Sequence, residues 1–188
     1  MIEDTLNADA VRAALAGARP TLAAVHALEA GGVNLIPLAM ASRLSVELEL
    51  PMESALVQIN RVGHTGSSGW HRLANPALFA GTVVPGTSYL LLDDFVGQGG
   101  TLANLKGHIE AKGGKVVGAV VLTGQQRSAR LAVSPEVLQD LRDKHGHIEN
   151  WWRGRFGFGF DAFTESEARY VLNAESAERA IRSARRQV

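Results

Sequence analysis

Two adjacent carboxylates and a glycine-rich turn are the residues of this chain best suited to chemistry. Asp93 and Asp94 follow the apolar run 89–92, and Gly97, Gly99 and Gly100 come shortly after them. Backbone N–H groups of a glycine-rich turn that leads into a helix bind phosphate, and Thr101 adds a hydroxyl donor. Carboxylates suit hydroxyl groups or a divalent cation. The order predicts a ligand such as a ribose 5-phosphate.

The alternative interpretation is a solvated strand end followed by an ordinary tight turn. A pair of acids alone would favour that alternative, but strand, acids, glycines, threonine and helix in this order favour a binding site. The turn differs from a Walker A loop because no lysine follows its glycines. It differs from the dinucleotide-binding fingerprint because the acids precede the glycines.

The segment resembles the motif of type I phosphoribosyltransferases, which bind 5-phosphoribosyl 1-pyrophosphate (PRPP). Leu92-Asp93-Asp94-Phe95-Val96 and Gly99-Gly100-Thr101 carry the resemblance. It implies that Asp93 and Asp94 contact the ribose hydroxyls and hold Mg²⁺ indirectly, through PRPP and water. It also implies a 5-phosphate site formed by Phe95, Val96, Gly97, Gln98, Gly99, Gly100 and Thr101.

The chain departs from the family pattern at two positions of the turn. Many members have threonine or serine where this chain has Gln98, so one hydroxyl contact to phosphate is changed. The branch that acts on 6-oxopurines has an aspartate where this chain has Gly97. This difference argues against hypoxanthine or guanine as the acceptor.

Two further segments occupy the places of the family's other substrate loops. The resemblance puts the pyrophosphate loop at 36–43, with Leu38, Ala39, Met40 and Arg43 as its residues. For Arg43 a solvated helix residue is an equal alternative. The glycine-rich stretch 61–81 occupies the place of the flexible catalytic loop, where we expect Arg61 and Arg72 to contact pyrophosphate. His64 and His71 are interpreted as ordinary loop histidines.

The acceptor site is the part of the resemblance that the sequence defines least. The candidates are Gln125, Trp151 and Trp152, whose indole rings could stack on a planar base. The favoured alternative is a small core of aromatic residues beneath the C-terminal helices. His145 and His147 fit no standard spacing of metal ligands.

The periodicity predicts the elements that must position these residues. We expect two helices within 5–30, strands at 33–37, 55–60, 89–92 and 116–122, and helices at 40–50 and 101–111. Ser134 and Thr164 begin two further helices, the second with a capping box. The pattern is that of an α/β fold with a parallel sheet and helices on both faces. N-terminal and C-terminal helical additions would form a hood.

Composition limits the classes of partner. Nineteen basic and nineteen acidic residues give zero net charge, which gives no general attraction to nucleic acid, and the C-terminal arginines are interpreted as a solvated helix end. The chain has no cysteine, so thiol chemistry is excluded. No membrane span is expected, and the location expected is the cytoplasm.

We expect a single domain over 1–188 with a core at about 33–124 and additions at 1–32 and 128–188. A homodimer is compatible with this arrangement.

Three functional hypotheses follow. The first is a Mg²⁺-dependent phosphoribosyltransferase that moves the phosphoribosyl group from PRPP to a nitrogen acceptor. The second is a module of the same fold that senses PRPP or a nucleotide without catalysis. The third and weakest is a relative of pyrophosphokinases or phosphohydrolases that reuses the double acid.

Overall fold

The computed structural model describes residues 6–29, 32–60, 62 and 68–185. These residues divide into two compact units, each with its own hydrophobic core. The first unit holds the described parts of Met1–Arg61, Ala77–Val96 and Asn104–Gly124, and the second those of Val62–Pro76, Gly97–Ala103 and Gln125–Val188. No helix within these described ranges is long and apolar enough to cross a membrane. The expectation of a single domain stays a prediction.

The first unit is built on a parallel sheet of four strands. They are β1 (Thr21–Ala24), β2 (Met52–Glu53), β3 (Ser88–Val96) and β4 (Lys115–Gly124), in the spatial order β2-β1-β3-β4. Leu22 of β1 lies opposite Met52 on one side and opposite Leu90 on the other. Two short antiparallel pairs also belong to this unit, Leu28–Glu29 with Gly32–Val33 and Val57–Gln58 with Phe79–Ala80.

The helices follow the strands in the order that the α/β pattern predicts. They are α1 (Ala8–Leu15), α2 (Ile36–Leu48), α3 (Gly69–Ala74), α4 (Gly100–Ala111), α5 (Pro135–His145), α6 (Glu149–Phe156), α7 (Glu165–Leu172) and α8 (Ala177–Arg185). The predicted helix starts at Ser134 and Thr164 are confirmed. The Ser134 hydroxyl accepts a hydrogen bond from the Val137 N–H, and Thr164 forms a complete capping box with Glu167.

Helices cover both faces of the sheet, as predicted. Successive side chains of a strand point to opposite faces. Leu90 and Leu92 of β3 pack in one core with Met40 of α2, whereas Tyr89 lies beside Ile109 of α4. Because both faces are covered, residues 22–24 of β1 and 89–92 of β3 are continuous apolar runs rather than alternating ones.

Two predicted elements near the N-terminus are wrong. The second predicted helix contains β1 instead, whose residues Leu22, Ala23 and Ala24 are all buried. A strand of four residues, three of them buried in succession, has no alternation to distinguish it from a helix. The predicted strand at 33–37 is also wrong beyond Val33, because α2 begins at Ile36 with Pro37 in its first turn. Proline is favoured there because the first N–H groups of a helix need no partner within it.

The second unit has a core rich in aromatic residues. Trp152 and Phe160 are fully buried, and Phe163 nearly so. The Trp152 ring lies 4.7 Å from that of Phe156 and 5.4 Å from that of Phe163, between centroids. The C-terminal aromatic stretch therefore forms the core of this unit, which is the alternative that the sequence favoured.

Candidate functional site

The two carboxylates lie in the last residues of β3. The strand extends to Val96, so Asp93 and Asp94 are still paired with β4, Asp93 opposite Val121. Asp93 is buried, and its Oδ1 atom accepts a hydrogen bond of 3.0 Å from the Asp94 N–H. Asp94 is half-buried on the opposite face. The predicted position at the carboxyl end of a parallel strand is confirmed, although the strand is longer than expected.

Asn34 fixes the orientation of the second carboxylate. Its Nδ2 atom donates a hydrogen bond of 3.0 Å to Asp94 Oδ2, and its Oδ1 atom accepts one of 3.1 Å from the N–H of Ile36. The Asn34 N–H itself donates to the Ala27 carbonyl at 3.1 Å. Asn34 was not among the site residues predicted from the sequence. The sequence feature that could have indicated Asn34 is its amide side chain within the otherwise apolar run 33–37.

The glycine-rich turn belongs to the second unit and is anchored there by two buried hydroxyls. Ser128 Oγ donates a hydrogen bond of 2.5 Å to the Gly97 carbonyl. Thr164 Oγ1 donates one of 2.6 Å to the Gln98 carbonyl. Both hydroxyl residues are almost completely buried, at 1% and 0% exposure. Ser128 and Thr164, which both belong to the second unit, therefore hold the carbonyls of two consecutive turn residues.

Only glycine fits the two positions where the turn enters α4. Gly99 has a φ of +86°, which side chains disfavour, and a Cβ atom there would lie 3.3 Å from the Ser128 carbonyl. A Cβ atom at Gly100 would overlap Oε1 of Glu167. The back of the turn is therefore closed by Ser128, Thr164 and Glu167.

The N–H groups of the turn have no internal acceptor. In the part of the chain that the structure describes, no hydrogen bond uses the N–H groups from Gly97 to Thr101. Several of them precede or begin α4, where the helix dipole also favours negative charge. The Gln98 side chain contributes a buried Oε1 atom that has no partner among the described residues. The turn has the donors that an anion such as phosphate requires.

Glu167 is an acidic residue of the second unit that lies beside this turn. Burial raises the pKa of its carboxyl, and the hydrogen bond from the Thr164 N–H counteracts part of that effect. The Glu167 Oε2 atom accepts the Thr164 N–H at 2.8 Å. A raised pKa favours the neutral carboxyl, which repels an anion in the turn less than a carboxylate would.

Arg72 is the predicted basic residue that the structure describes. It lies on α3 and is half-buried, and its Nε atom is buried without a hydrogen-bond partner among the described residues. His71, beside it, contacts the Val62 carbonyl at 2.8 Å through Nε2. Arg61 and His64 lie outside the described residues.

The model of the phosphoribosyl transferase domain matches residues 19–147. The chain belongs to the phosphoribosyl transferase family. The matched region includes β1, which the sequence analysis had left outside the core.

Among curated proteins, this chain is similar to Protein TraN of Escherichia coli. The two are 40% identical over 161 residues, which is 85% of this chain and 36% of TraN. An uncharacterized protein of Haemophilus influenzae is 50% identical over 86 residues, covering 45% of this chain and 19% of that protein. The chain therefore spans about a third or less of the length of these relatives.

Solved structures of phosphoribosyltransferases are similar at low identity. Adenine phosphoribosyltransferase of Thermoanaerobacter pseudethanolicus is 20% identical with a TM-score of 0.40, covering 62% of this chain and 66% of that one. Hypoxanthine phosphoribosyl transferase of Trypanosoma cruzi is 16% identical with a TM-score of 0.45, covering 68% and 65%.

The segment 36–43, which was predicted to be a pyrophosphate loop, is helical and not a loop. Leu38, Ala39, Met40 and Arg43 all lie within α2. Met40 is completely buried in the core of the first unit, and Arg43 Nε donates a hydrogen bond of 2.6 Å to Glu47. The prediction failed because Pro37 begins the helix rather than ending a strand.

The predicted acceptor residues are in different environments. Gln125 is exposed and precedes a short 3₁₀ helix, Gln126–Ala129. Trp151 is half-buried on α6, with its ring 6.1 Å from that of Trp152. Trp152 is completely buried in the core, so its ring has no free face for a base. The prediction that Trp152 stacks on an acceptor is therefore wrong.

Proposed function

We propose that this chain binds PRPP together with Mg²⁺ and transfers its phosphoribosyl group to a nitrogen acceptor, releasing pyrophosphate. The observation that carries the proposal is the anchored turn, whose free N–H groups follow the paired acids directly in the chain. A phosphate on the turn and hydroxyls on the acids match the two ends of a ribose 5-phosphate. Membership of the family supports the same ligand.

In this proposal Asp93 and Asp94 bind the ribose hydroxyls. Asp94 is already held by Asn34, so its carboxylate needs little reorganisation when the sugar arrives. The negative charge of the pair also favours the positive charge that develops on the ribose ring in an oxocarbenium-like transition state. The bond from the anomeric carbon to pyrophosphate breaks, and a bond from that carbon to the acceptor nitrogen forms.

Mg²⁺ fits the residues present if the substrate supplies most of its ligands. The described residues contain no group of three or more histidine, aspartate or glutamate side chains arranged to hold a metal. Carboxylate oxygens suit Mg²⁺, which usually keeps waters and substrate phosphates as its other ligands. Asp93 and Asp94 would hold it through the ribose hydroxyls and water. When bound, the ion neutralises charge on the leaving pyrophosphate.

Arg72 is the residue that we propose for the pyrophosphate. A guanidinium can contact pyrophosphate with two parallel N–H groups, and the Nε donor of Arg72 has no hydrogen-bond partner among the described residues. Gly97 stands where 6-oxopurine enzymes have an aspartate, so we propose an acceptor other than hypoxanthine or guanine. The acceptor is otherwise defined only as a nitrogen nucleophile.

The test is release of pyrophosphate from PRPP in the presence of Mg²⁺ and a panel of nucleobases and amines. The Asp93→Asn, Asp94→Asn double variant is the control, because it keeps the side-chain shapes and removes the charge. We expect one acceptor class to give release that the double variant lacks. Equal release by both proteins would contradict the proposal.

One observation favours a second candidate, a module that binds PRPP without catalysis. The segment expected to supply the pyrophosphate loop is helical, and its arginine, Arg43, is hydrogen-bonded to Glu47. No basic residue of 36–43 is therefore poised for the leaving group. Binding of PRPP without release of pyrophosphate across the whole panel would support this candidate.

A further inference from the structure

Two side chains far from the turn in sequence hold its backbone in one orientation. Ser128 follows Gly97 by 31 positions and Thr164 follows Gln98 by 66, yet each donates to the carbonyl of that turn residue. The two carbonyls are consecutive. Their hydrogen bonds therefore fix two neighbouring peptide planes.

The orientation of a carbonyl determines that of the N–H in the same peptide plane. In a trans peptide the C=O of one residue and the N–H of the next point in opposite directions. Since the Gly97 carbonyl points at Ser128, the Gln98 N–H points away from it. Since the Gln98 carbonyl points at Thr164, the Gly99 N–H points away from that side chain. Both donors thus face away from the closed back of the turn.

The two hydroxyls are themselves fixed. Ser128 Oγ lies 2.7 Å from Ser166 Oγ, and since the Ser128 hydrogen goes to Gly97, Ser166 is the donor in that pair. Thr164 Oγ1 accepts the Glu167 N–H at 3.1 Å while donating to Gln98. Capping of α7 explains the accepted bond of Thr164 but not the donated one.

We infer that Ser128 and Thr164 are positioning residues for phosphate binding, which act by directing the N–H groups of Gln98 and Gly99 towards the ligand. This inference rests on the proposed function, because it needs a phosphate on the turn. A preorganised donor costs less free energy on binding than one that must first rotate. Neither hydroxyl contacts the ligand in this account.

The test compares four variants by calorimetry with PRPP and Mg²⁺. Ser128→Ala removes one anchor, and Ser166→Ala is its matched control because it leaves the bond to Gly97 in place. Thr164→Val removes the hydrogen bond to Gln98 together with the cap of α7. Thr164→Ser keeps a hydroxyl that can form both. We expect Ser128→Ala and Thr164→Val each to weaken binding about 3- to 10-fold, the range for one lost hydrogen bond. Ser166→Ala and Thr164→Ser should remain within about twofold of the unmodified protein.

A second readout separates positioning from general loss of structure. Titration with inorganic phosphate, followed by the amide resonances of the turn, should shift Gln98 and Gly99 in the unmodified protein. In Ser128→Ala the phosphate-induced shift of the Gln98 amide should decrease, while that of the Thr101 amide is kept. A merely structural role would alter all of the turn amides together.

The outcomes distinguish this inference from the proposed function. If the unmodified protein binds neither PRPP nor phosphate, the proposed function and this inference both fail. If it binds but Ser128→Ala binds equally well, the inference is overturned and the proposed function stands. A Ser166→Ala variant as weak as Ser128→Ala would also overturn it. If Thr164→Val does not fold, Ser128→Ala and the turn amides decide.

Discussion

The side-chain amide of Asn34 donates a hydrogen bond of 3.0 Å to Asp94 across 60 positions of sequence. Its carbonyl oxygen accepts the N–H of Ile36, the first residue of α2. The start of a helix thus sets the direction of a carboxylate at the end of the neighbouring strand. The acid of the family motif is oriented by a residue outside that motif.

Replacement of Asn34 should weaken PRPP binding without removing it. We expect Asn34→Ala to lower affinity about 3- to 10-fold, because Asp94 loses one hydrogen-bond partner. Asn34→Asp should lower it more, since a second negative charge then faces Asp94. Calorimetry with PRPP and Mg²⁺ checks both. Equal affinity of Asn34→Asp and the unmodified protein would contradict the orienting role.

Two glycines of α4 should respond to alanine in opposite directions. A Cβ atom at Gly100 would overlap Glu167 Oε1, whereas Gly107 has no atom within 4 Å of such a Cβ. We expect Gly100→Ala to lower the free energy of unfolding by about 1–3 kcal/mol. Gly107→Ala should raise it by about 0.5–1 kcal/mol through helix propensity. Urea denaturation measures both, and stabilisation by Gly100→Ala would show that the turn is not closed at its back.

The neighbouring tryptophans of α6 should differ in their contribution to stability. Trp152 is completely buried, and Trp151 is half-buried. We expect Trp152→Ala to lower the free energy of unfolding by about 3–5 kcal/mol. Trp151→Ala should cost clearly less, because part of its ring stays in water. Equal losses in denaturant titrations would contradict the placement of Trp152 at the centre of the second unit.

Glu149 should make stability depend on pH. Hydrogen bonds from Arg142 at 2.9 and 3.0 Å lower the pKa of Glu149, which also accepts the Phe160 N–H. Its stabilising effect is therefore present above the ordinary carboxyl pKa and is lost as pH falls through the lowered value. At pH 7 we expect Glu149→Gln to lower the free energy of unfolding by about 1–3 kcal/mol.

The control for this prediction is a glutamate in an exposed ion pair. The side chain of Glu175, which pairs with Arg179, is 76% exposed, so Glu175→Gln should change stability little at any pH. Denaturant titrations at pH 7 and at about pH 3 compare the two variants. If Glu149→Gln lowered the free energy of unfolding by the same amount at both pH values, this result would contradict a charged hydrogen bond between Glu149 and Arg142.

Local chemistry explains what the sequence predicts well. The Ser134 and Thr164 caps depend on residues within one helical turn, and both were predicted. The acids of β3 and the glycines before α4 are likewise contiguous, so their order alone indicates strand, turn and helix. Their interpretation as a PRPP motif came from the resemblance, and the family comparison confirms that the chain belongs to the family.

Contacts between distant parts of the chain explain what the sequence did not predict. Nothing in the spacing of Asn34, Ser128 or Thr164 indicates that they meet Asp94, Gly97 and Gln98, because each pair is brought together only by folding. The strand β1 was missed because it is short and three of its four residues are buried in succession. The segment 36–43 was predicted as a loop because the apolar run before Pro37 was interpreted as a strand that ends there.

Calorimetric titration with PRPP and Mg²⁺ tests the central claim most directly. It compares the unmodified protein with the Asp93→Asn, Asp94→Asn double variant, after denaturant titrations have shown that both are folded. The account predicts saturable binding by the unmodified protein and a loss of at least about tenfold in affinity for the variant, as expected when hydrogen bonds to charged groups are removed. No binding by the folded, unmodified protein, or equal affinity for both proteins, would contradict it.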